Sequence, residues 1–165
     1  MPLKRKLSKK QVQKILQVCV DYIYSIEFNN SSDLAGKCIP VYMALQSLLC
    51  KVLSVESYIT IGDRVWSDYI YCEMSYDYII RELEKTNIND ALKAHVWLTL
   101  RDGSVLDCTG EAYMDLLFKR GNHPTHECVA YFPPDKNLSD GFYRPYLVGS
   151  AFLTHIGAYA VIQKK

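Results

Sequence analysis

The strongest constraint on the fold of this chain is a pair of short apolar segments on either side of Asp102-Gly103. Residues 94–100 and 104–108 are rich in strand-favouring side chains, and an Asp-Gly pair between two such segments is a strong signal of a tight hairpin turn. The pattern therefore predicts an antiparallel β-hairpin. His95 stands near the start of its first strand, and Asp107 stands near the end of its second.

The length of the hairpin loop decides which face Asp107 occupies. A two-residue loop would place Asp107 opposite Leu98, on the face away from His95. A three-residue loop over 101–103, closed by a left-handed glycine, would place Asp107 opposite Trp97 on the His95 face. A joint role for His95 and Asp107 therefore requires the three-residue loop.

A second constraint is the helical pattern that begins near Cys38. Apolar residues recur at steps of three and four from Val41 to Val52, which is typical of a helix with one buried face. Pro40 fits the first turn of this helix, because N–H groups there have no acceptor within the helix and the N–H that proline lacks is not needed. Cys38 is therefore predicted at or just before the helix N-terminus. The positive helix dipole and unpaired N–H groups there favour a thiolate and a tetrahedral oxyanion.

The remaining elements follow from the same kinds of pattern. We predict a helix over 9–27 capped by Ser8, a polar loop over 29–33, a strand over 58–61 that can extend to 66, a helix near 75–86, a short helix over 111–119, and a strand over 128–132. For the apolar tail from residue 142 onward, the pattern does not distinguish strands from a helix.

Composition narrows the class of protein. A chain of 165 residues with 49% hydrophobic and 22% charged residues is expected to form one domain, residues 1–165. A net charge of +1 gives no general attraction to nucleic acid or to an anionic membrane. The basic cluster from Lys4 to Lys14 is interpreted as a solvated helix start. Without a membrane-spanning stretch or a signal peptide, we expect a cytoplasmic protein, or one exported without a cleaved signal.

The six cysteines include no CxxC pair, and we expect them to remain reduced. Cys19 and Cys50 are expected in the core, because each lies on or beside the apolar face of a predicted helix.

Two other groups of residues allow more than one interpretation. Half of a zinc site could be formed by His123, His126 and Cys128. A polar loop that leads into a strand is the simpler interpretation of this segment, and we expect no metal or cofactor. The closely spaced tyrosines could line a peptide groove or simply cover a half-buried helix and its neighbouring loop; these are Tyr69, Tyr71, Tyr76 and Tyr78.

The combination of motifs resembles a known family. A cysteine at a helix start, His95-Val-Trp at the start of a strand and Asp107-Cys-Thr at the end of the next resemble the transglutaminase-like branch of the papain-like cysteine protease fold. The lead-in Gly36-Lys37-Cys38 looks more like the bacterial transglutaminase-like peptidases, including those that process lasso-peptide precursors. The tryptophan that often follows the nucleophile in this family is missing here.

The resemblance implies an α+β fold with helices packed on an antiparallel sheet. The segment between the predicted strand and His95, residues 67–93, is unusually long for this family and is interpreted as a possible inserted lid. It implies a catalytic triad in which Cys38 is the nucleophile, His95 the general base and acid, and Asp107 the residue that orients the imidazole. Trp97 and Thr109 match accompanying positions of the motif.

By this resemblance the reaction is amide hydrolysis or acyl transfer on a peptide or protein substrate, through a thioester. The protein would be a peptidase, a deamidase or a transglutaminase. The alternative is a noncatalytic interaction module that keeps the fold. The sequence leaves the oligomeric state open.

Overall fold

The computed structural model describes residues 5–87, 89, 92–134 and 141–158. Within these ranges the elements, in chain order, are α1 (Lys9–Ser25), α2 (Ser31–Leu34), α3 (Cys38–Leu53), β1 (Ser57–Trp66), β2 (Tyr69–Tyr71), α4 (Tyr76–Glu84), β3 (His95–Leu100), β4 (Val105–Asp107), α5 (Gly110–Leu117), α6 (Thr125–Cys128), β5 (Ala130–Phe132), β6 (Gly141–Val148) and α7 (Ala151–His155). The protein is therefore mixed α+β with antiparallel strand pairing, as the sequence predicts.

Backbone contacts divide the chain into two units. The first unit contains Met1–Tyr58 and Trp97–Lys136, and the second contains Ile59–Val96 and Asn137–Lys165. The single domain and the inserted lid over 67–93 stay predictions.

Helix α1 begins where the sequence predicts. The Ser8 hydroxyl accepts the Gln11 N–H (3.3 Å), and the Gln11 side chain accepts the Ser8 N–H (2.9 Å), which completes a capping box. Ile15, Cys19 and Ile23 recur every four residues and are fully buried. This stripe packs α1 against α3, and burial of each isoleucine contributes about 1.5–3 kcal/mol.

Helix α3 also confirms its prediction, with Cys38 as its first residue and Pro40 in its first turn. Lys37 precedes the helix and makes no side-chain cap. The helix ends at Leu53, and its C-cap residue Ser54 is left-handed (φ 52°). The buried face consists of Cys38, Val41, Tyr42, Leu45 and Leu49.

The hairpin of the first unit has the three-residue loop. Leu98 pairs with Leu106, and the Leu100 N–H donates to the Ser104 carbonyl (2.8 Å), so residues 101–103 form the loop. The φ of its glycine is +87°, as the closing position requires. Strand β4 pairs on its other edge with β5, also antiparallel.

In the second unit, β1 pairs antiparallel with β2 and with β6. Asp63 of β1 is fully buried and accepts two hydrogen bonds from the Arg144 guanidinium on β6 (2.7 and 2.8 Å). Gly141 opens β6 against the Val65 carbonyl, where a Cβ atom would lie only 1.7 Å from the oxygen. Only glycine allows this approach of the two strands.

Two local predictions were wrong. The polar loop over 29–33 contains α2, because the Asn30 side chain accepts the Asp33 N–H (3.3 Å) and caps a short helix. Cys128 ends the short helix α6 rather than starting a strand, and β5 begins only at Ala130. Thr125, the first residue of α6, is held by contacts to distant backbone (N–H to Asn29, Oγ1 to Phe28), which local sequence patterns do not reveal.

A third prediction failed at Cys50. Cys19 is buried as expected, but Cys50 is exposed. Leu49 is the last buried residue of α3, and the next side chain projects about 100° further around the helix, which carries it out of the buried face. None of the helices in the described ranges combines the length and apolar composition of a membrane-spanning helix.

Candidate functional site

Cys38 occupies the position that the chemistry needs. It is the first residue of the 16-residue helix α3 and is 6% exposed. The first N–H groups of an α-helix have no acceptor within the helix, and Pro40 has no N–H to offer. The backbone donors next to the thiol are therefore those of Cys38 and Ile39. These are the groups that could hydrogen-bond an oxyanion formed at Cys38.

Asp107 lies at the end of β4, in the same unit as Cys38, and is almost fully buried. Its Oδ1 accepts the Tyr42 hydroxyl (2.8 Å) and the N–H groups of Thr109 (3.2 Å) and Gly110 (3.0 Å). A Cβ atom on Gly110 would lie 2.5 Å from Asp107 Oδ2, so the glycine makes room for the carboxylate. The carboxylate is thus fixed at the start of α5.

Tyr42 links the helix of Cys38 to Asp107. It lies four residues after Cys38, on the same buried face of α3. Its hydroxyl donates to Asp107 and accepts the N–H of Cys108. Burial, followed by the charge of Asp107, raises the pKa of Tyr42 well above its usual value, so this hydroxyl stays a donor. No motif in the sequence predicts a role for Tyr42, although its four-residue spacing from Cys38 on the same helix was an available signal.

His95 lies in the second unit, as the first residue of β3. It is fully buried, and its ring packs between two tyrosine rings, with centroid distances of 4.8 Å to Tyr71 and 6.3 Å to Tyr143. Aromatic packing of this kind holds a ring in one orientation. Its approach to Cys38 and Asp107 stays a prediction.

The two accompanying positions of the motif are both buried in the first unit. Trp97 and Thr109 are each 1% exposed, and Thr109 directly precedes α5 as its N-cap residue. The Thr109 N–H contributes to the hydrogen bonds around Asp107.

A second polar network, which no motif in the sequence predicts, lies elsewhere in the first unit. We call it the Asp115 cluster; it consists of Ser31, Asp115, Arg120, His123 and Cys128. Asp115 Oδ2 accepts the Ser31 hydroxyl (2.5 Å) and contacts His123 Nδ1 (2.9 Å). Asp115 Oδ1 accepts Arg120 Nε (2.9 Å), and Cys128 Sγ lies 3.4 Å from Ser31 Oγ.

Charge and hydrogen bonding set the protonation of this cluster. Burial alone would raise the pKa of Asp115, but hydrogen bonds from Ser31 and His123 and the charge of Arg120 outweigh it and lower that pKa below its usual value. Burial raises the pKa of the Cys128 thiol, which therefore stays protonated and poorly nucleophilic.

The Asp115 cluster ties the segment after α5 to α2. The Ser31 N–H donates to the His123 carbonyl (2.9 Å), and the His123 N–H donates back to Ser31 Oγ (3.1 Å). In the described part of the chain, no three His, Cys, Asp or Glu side chains form a group that could hold a metal ion. His123 contacts Asp115, and Cys128 lies beside Ser31.

The tyrosines of the second unit lie on β2 and α4. Tyr76 is exposed and packs edge-on against Tyr146, with centroids 5.0 Å apart. Tyr71 is buried against His95. A peptide groove lined by tyrosines stays a prediction.

No protein-family model, no curated protein and no solved structure matches this chain. The likeness to transglutaminase-like peptidases therefore rests on the motifs around Cys38, His95 and Asp107 alone.

Proposed function

We propose that this protein is a cysteine-dependent amide hydrolase or acyl transferase of the transglutaminase-like, papain-like kind. Cys38 is the nucleophile, His95 the general base and acid, and Asp107 the residue that orients the imidazole. The substrate is a peptide or protein, and the protein acts in the cytoplasm without a cofactor.

The observation that supports this proposal most directly is the three-residue loop of the hairpin. In that register Asp107 stands opposite Trp97, and alternation along a strand gives Trp97 and His95 the same face. The two-residue loop would have put Asp107 on the opposite face. A second support is the position of Cys38 at the start of α3, with Tyr42 connecting that helix to Asp107.

The proposed chemistry proceeds in two stages. The Cys38 thiol loses its proton to His95 and attacks an amide carbonyl, forming an S–C bond and an oxyanion. His95 then gives the proton to the amide nitrogen, and the C–N bond breaks. The amine departs, and the acyl group stays bound to Cys38 as a thioester. Water or a second amine attacks the thioester with His95 as base, which restores the thiol and releases the acid or the new amide.

Alkylation with iodoacetamide tests the nucleophile, because a thiolate reacts much faster than a thiol. The exposed Cys50 would react simply through access, so the experiment uses a Cys50→Ser background. We expect Cys38 to be alkylated at least about tenfold faster than the buried Cys19 and Cys108 at pH 6.5, measured by peptide mass spectrometry. His95→Gln should remove that advantage.

His126→Gln is the matched control, because His126 is an exposed histidine of the first unit. It should leave the alkylation rate of Cys38 unchanged. If Cys38 reacts only as fast as Cys19, or if both histidine variants slow it equally, the catalytic assignment is wrong. Circular dichroism spectra matching those of the parent exclude unfolding as the cause.

A noncatalytic interaction module is the second candidate. Three consecutive apolar residues at the end of α5 are exposed: Leu116 (46%), Leu117 (40%) and Phe118 (52%). Exposed apolar side chains at the end of α5 are the observation that favours this second candidate. This function predicts an unreactive Cys38, so the alkylation experiment also separates the two candidates.

A further inference from the structure

The first unit contains a cavity of about 600 Å³ between the start of α1 and the hairpin loop. Its lining consists of Arg5, Lys6, Leu7, Ser8, Gln11 and Arg101. Three of these six side chains are cationic and none is acidic. The first turn of α1 has no acidic residue either, so the positive end of the helix dipole adds to the charge of the lining.

The two walls of this cavity are fastened to each other. The buried Asp102 accepts the Leu7 N–H through Oδ2 (3.0 Å) and the Ser104 N–H through Oδ1 (3.0 Å). The Arg101 N–H donates to the Glu56 carbonyl (3.1 Å), which anchors the loop from its other side. The segment before α1 is therefore held against the hairpin, and the exposed Arg5 and Lys6 and the half-buried Arg101 line the open cavity next to this junction.

Arg101 contains a buried donor that has no acceptor. Its Nε is buried and has no hydrogen-bond partner within the described residues, whereas the residue as a whole is half-buried. By contrast, Arg120 and Arg144 are both paired with carboxylates. The Asp102 carboxylate accepts the Leu7 and Ser104 N–H groups, and the Glu56 carboxylate accepts the Tyr58 hydroxyl. A buried donor without an acceptor is costly and uncommon in folded proteins.

We propose that this cavity binds a small anion with two or three linked phosphates. The planar guanidinium of Arg101 matches a pair of phosphate oxygens, and Arg5 and Lys6 supply further positive charge at the rim. The volume lies within the range of small-molecule sites. A net charge of +1 gives the chain no general attraction to a nucleic acid, so a compact anion fits better than a polymer. None of the six lining residues belongs to the proposed catalytic triad.

Calorimetric titration of the whole chain with sodium tripolyphosphate tests the proposal. We expect saturable binding at one site, which Arg101→Gln weakens at least about tenfold because the two-point contact is lost. Arg101→Lys keeps the positive charge but loses the paired N–H donors of the guanidinium, and should weaken binding by about threefold or more. The matched control is Arg81→Gln on α4, an exposed arginine whose loss changes the net charge equally and should change affinity less than about twofold.

Three results of the tripolyphosphate titrations would overturn the proposal: no saturable binding, an unchanged affinity in Arg101→Gln, or an equal loss of affinity in Arg101→Gln and Arg81→Gln. Sodium sulfate serves as the probe for nonspecific anion binding, and equal affinity for sulfate and tripolyphosphate would also overturn it. If Arg101→Gln fails to fold, Lys6→Gln at the rim replaces it, with an expected loss of about threefold against the same control.

Discussion

At the residue scale, the Asp107 carboxylate joins two helices of the first unit. It accepts the Tyr42 hydroxyl from α3 and two N–H groups at the start of α5. These bonds cap a helix, and they also hold the carboxylate in one orientation. A carboxylate that orients an imidazole needs such rigidity, because misdirected hydrogen bonds cost catalysis. The structural and the proposed catalytic role of Asp107 are therefore compatible.

Tyr42→Phe tests the energetic contribution of this link. The ring still fills its buried space, but the hydroxyl bonds to Asp107 and to the Cys108 N–H are lost. We expect the free energy of unfolding to fall by about 1–3 kcal/mol, measured by urea denaturation. Tyr22→Phe on α1 is the control and should cost less than about 0.5 kcal/mol, because its hydroxyl has no hydrogen bond within the described residues. Equal stability of the two variants would show that the Tyr42 link contributes nothing.

At the scale of elements, the hairpin loop sets the register that the proposed function requires. The loop over 101–103 has its glycine at φ +87°, and Asp102 ties the same loop to the segment before α1. One short turn thus fixes two things in the first unit: the face on which Asp107 stands, and one wall of the cationic cavity.

Substitution of Gly103 tests the conformation of this loop. Gly103→Ala should lower the free energy of unfolding by about 1–2 kcal/mol, because an L residue with a Cβ is strained at positive φ. Gly103→Asn should lower the free energy of unfolding by less, because asparagine tolerates the left-handed region better than alanine does. Thermal unfolding of the two variants measures the difference. An alanine variant as stable as the asparagine variant would contradict a left-handed requirement at this position.

At the scale of the whole molecule, two buried carboxylates make stability depend on pH. Burial alone would raise the pKa of Asp102, as it would that of Asp115. In Asp102 the hydrogen bonds from Ser104 and Leu7 outweigh burial and lower the pKa. A carboxyl group whose pKa is lower when folded stabilises the protein fully above its unfolded pKa of about 4. That stabilisation is lost as the pH falls through the folded value.

We therefore expect the free energy of unfolding to fall as the pH decreases from about 4, with little change from these two groups between pH 5 and 7. Asp115→Asn should reduce the steepness of that fall, and Asp102→Asn should reduce it independently, because the two sites share no partner. Urea denaturation at a series of pH values gives the slopes. Slopes identical to that of the parent in both variants would rule out these carboxylates as the source.

Local patterns in the sequence predicted the elements whose causes are local. Ser8 and Gln11 cap α1, apolar spacing and Pro40 mark the start of α3, and Asp102-Gly103 marks the hairpin turn. Even the three-residue loop was a condition that the sequence could state in advance. The short helix α2 was missed, since a four-residue helix leaves almost no periodicity to detect.

The sequence by itself determined where Cys38 lies on its helix and where Asp107 ends its strand, because capping, turn chemistry and periodicity act over a few residues. Only the tertiary structure decided that Cys50 is exposed and that Tyr42 bonds to Asp107. It also decided that Asp115 contacts Ser31, Arg120 and His123. The physical reason is distance along the chain. Tyr42 and Asp107 are 65 residues apart, and Ser31 and Asp115 are 84 apart. Which buried donor meets which acceptor across such separations depends on how the helices and strands pack.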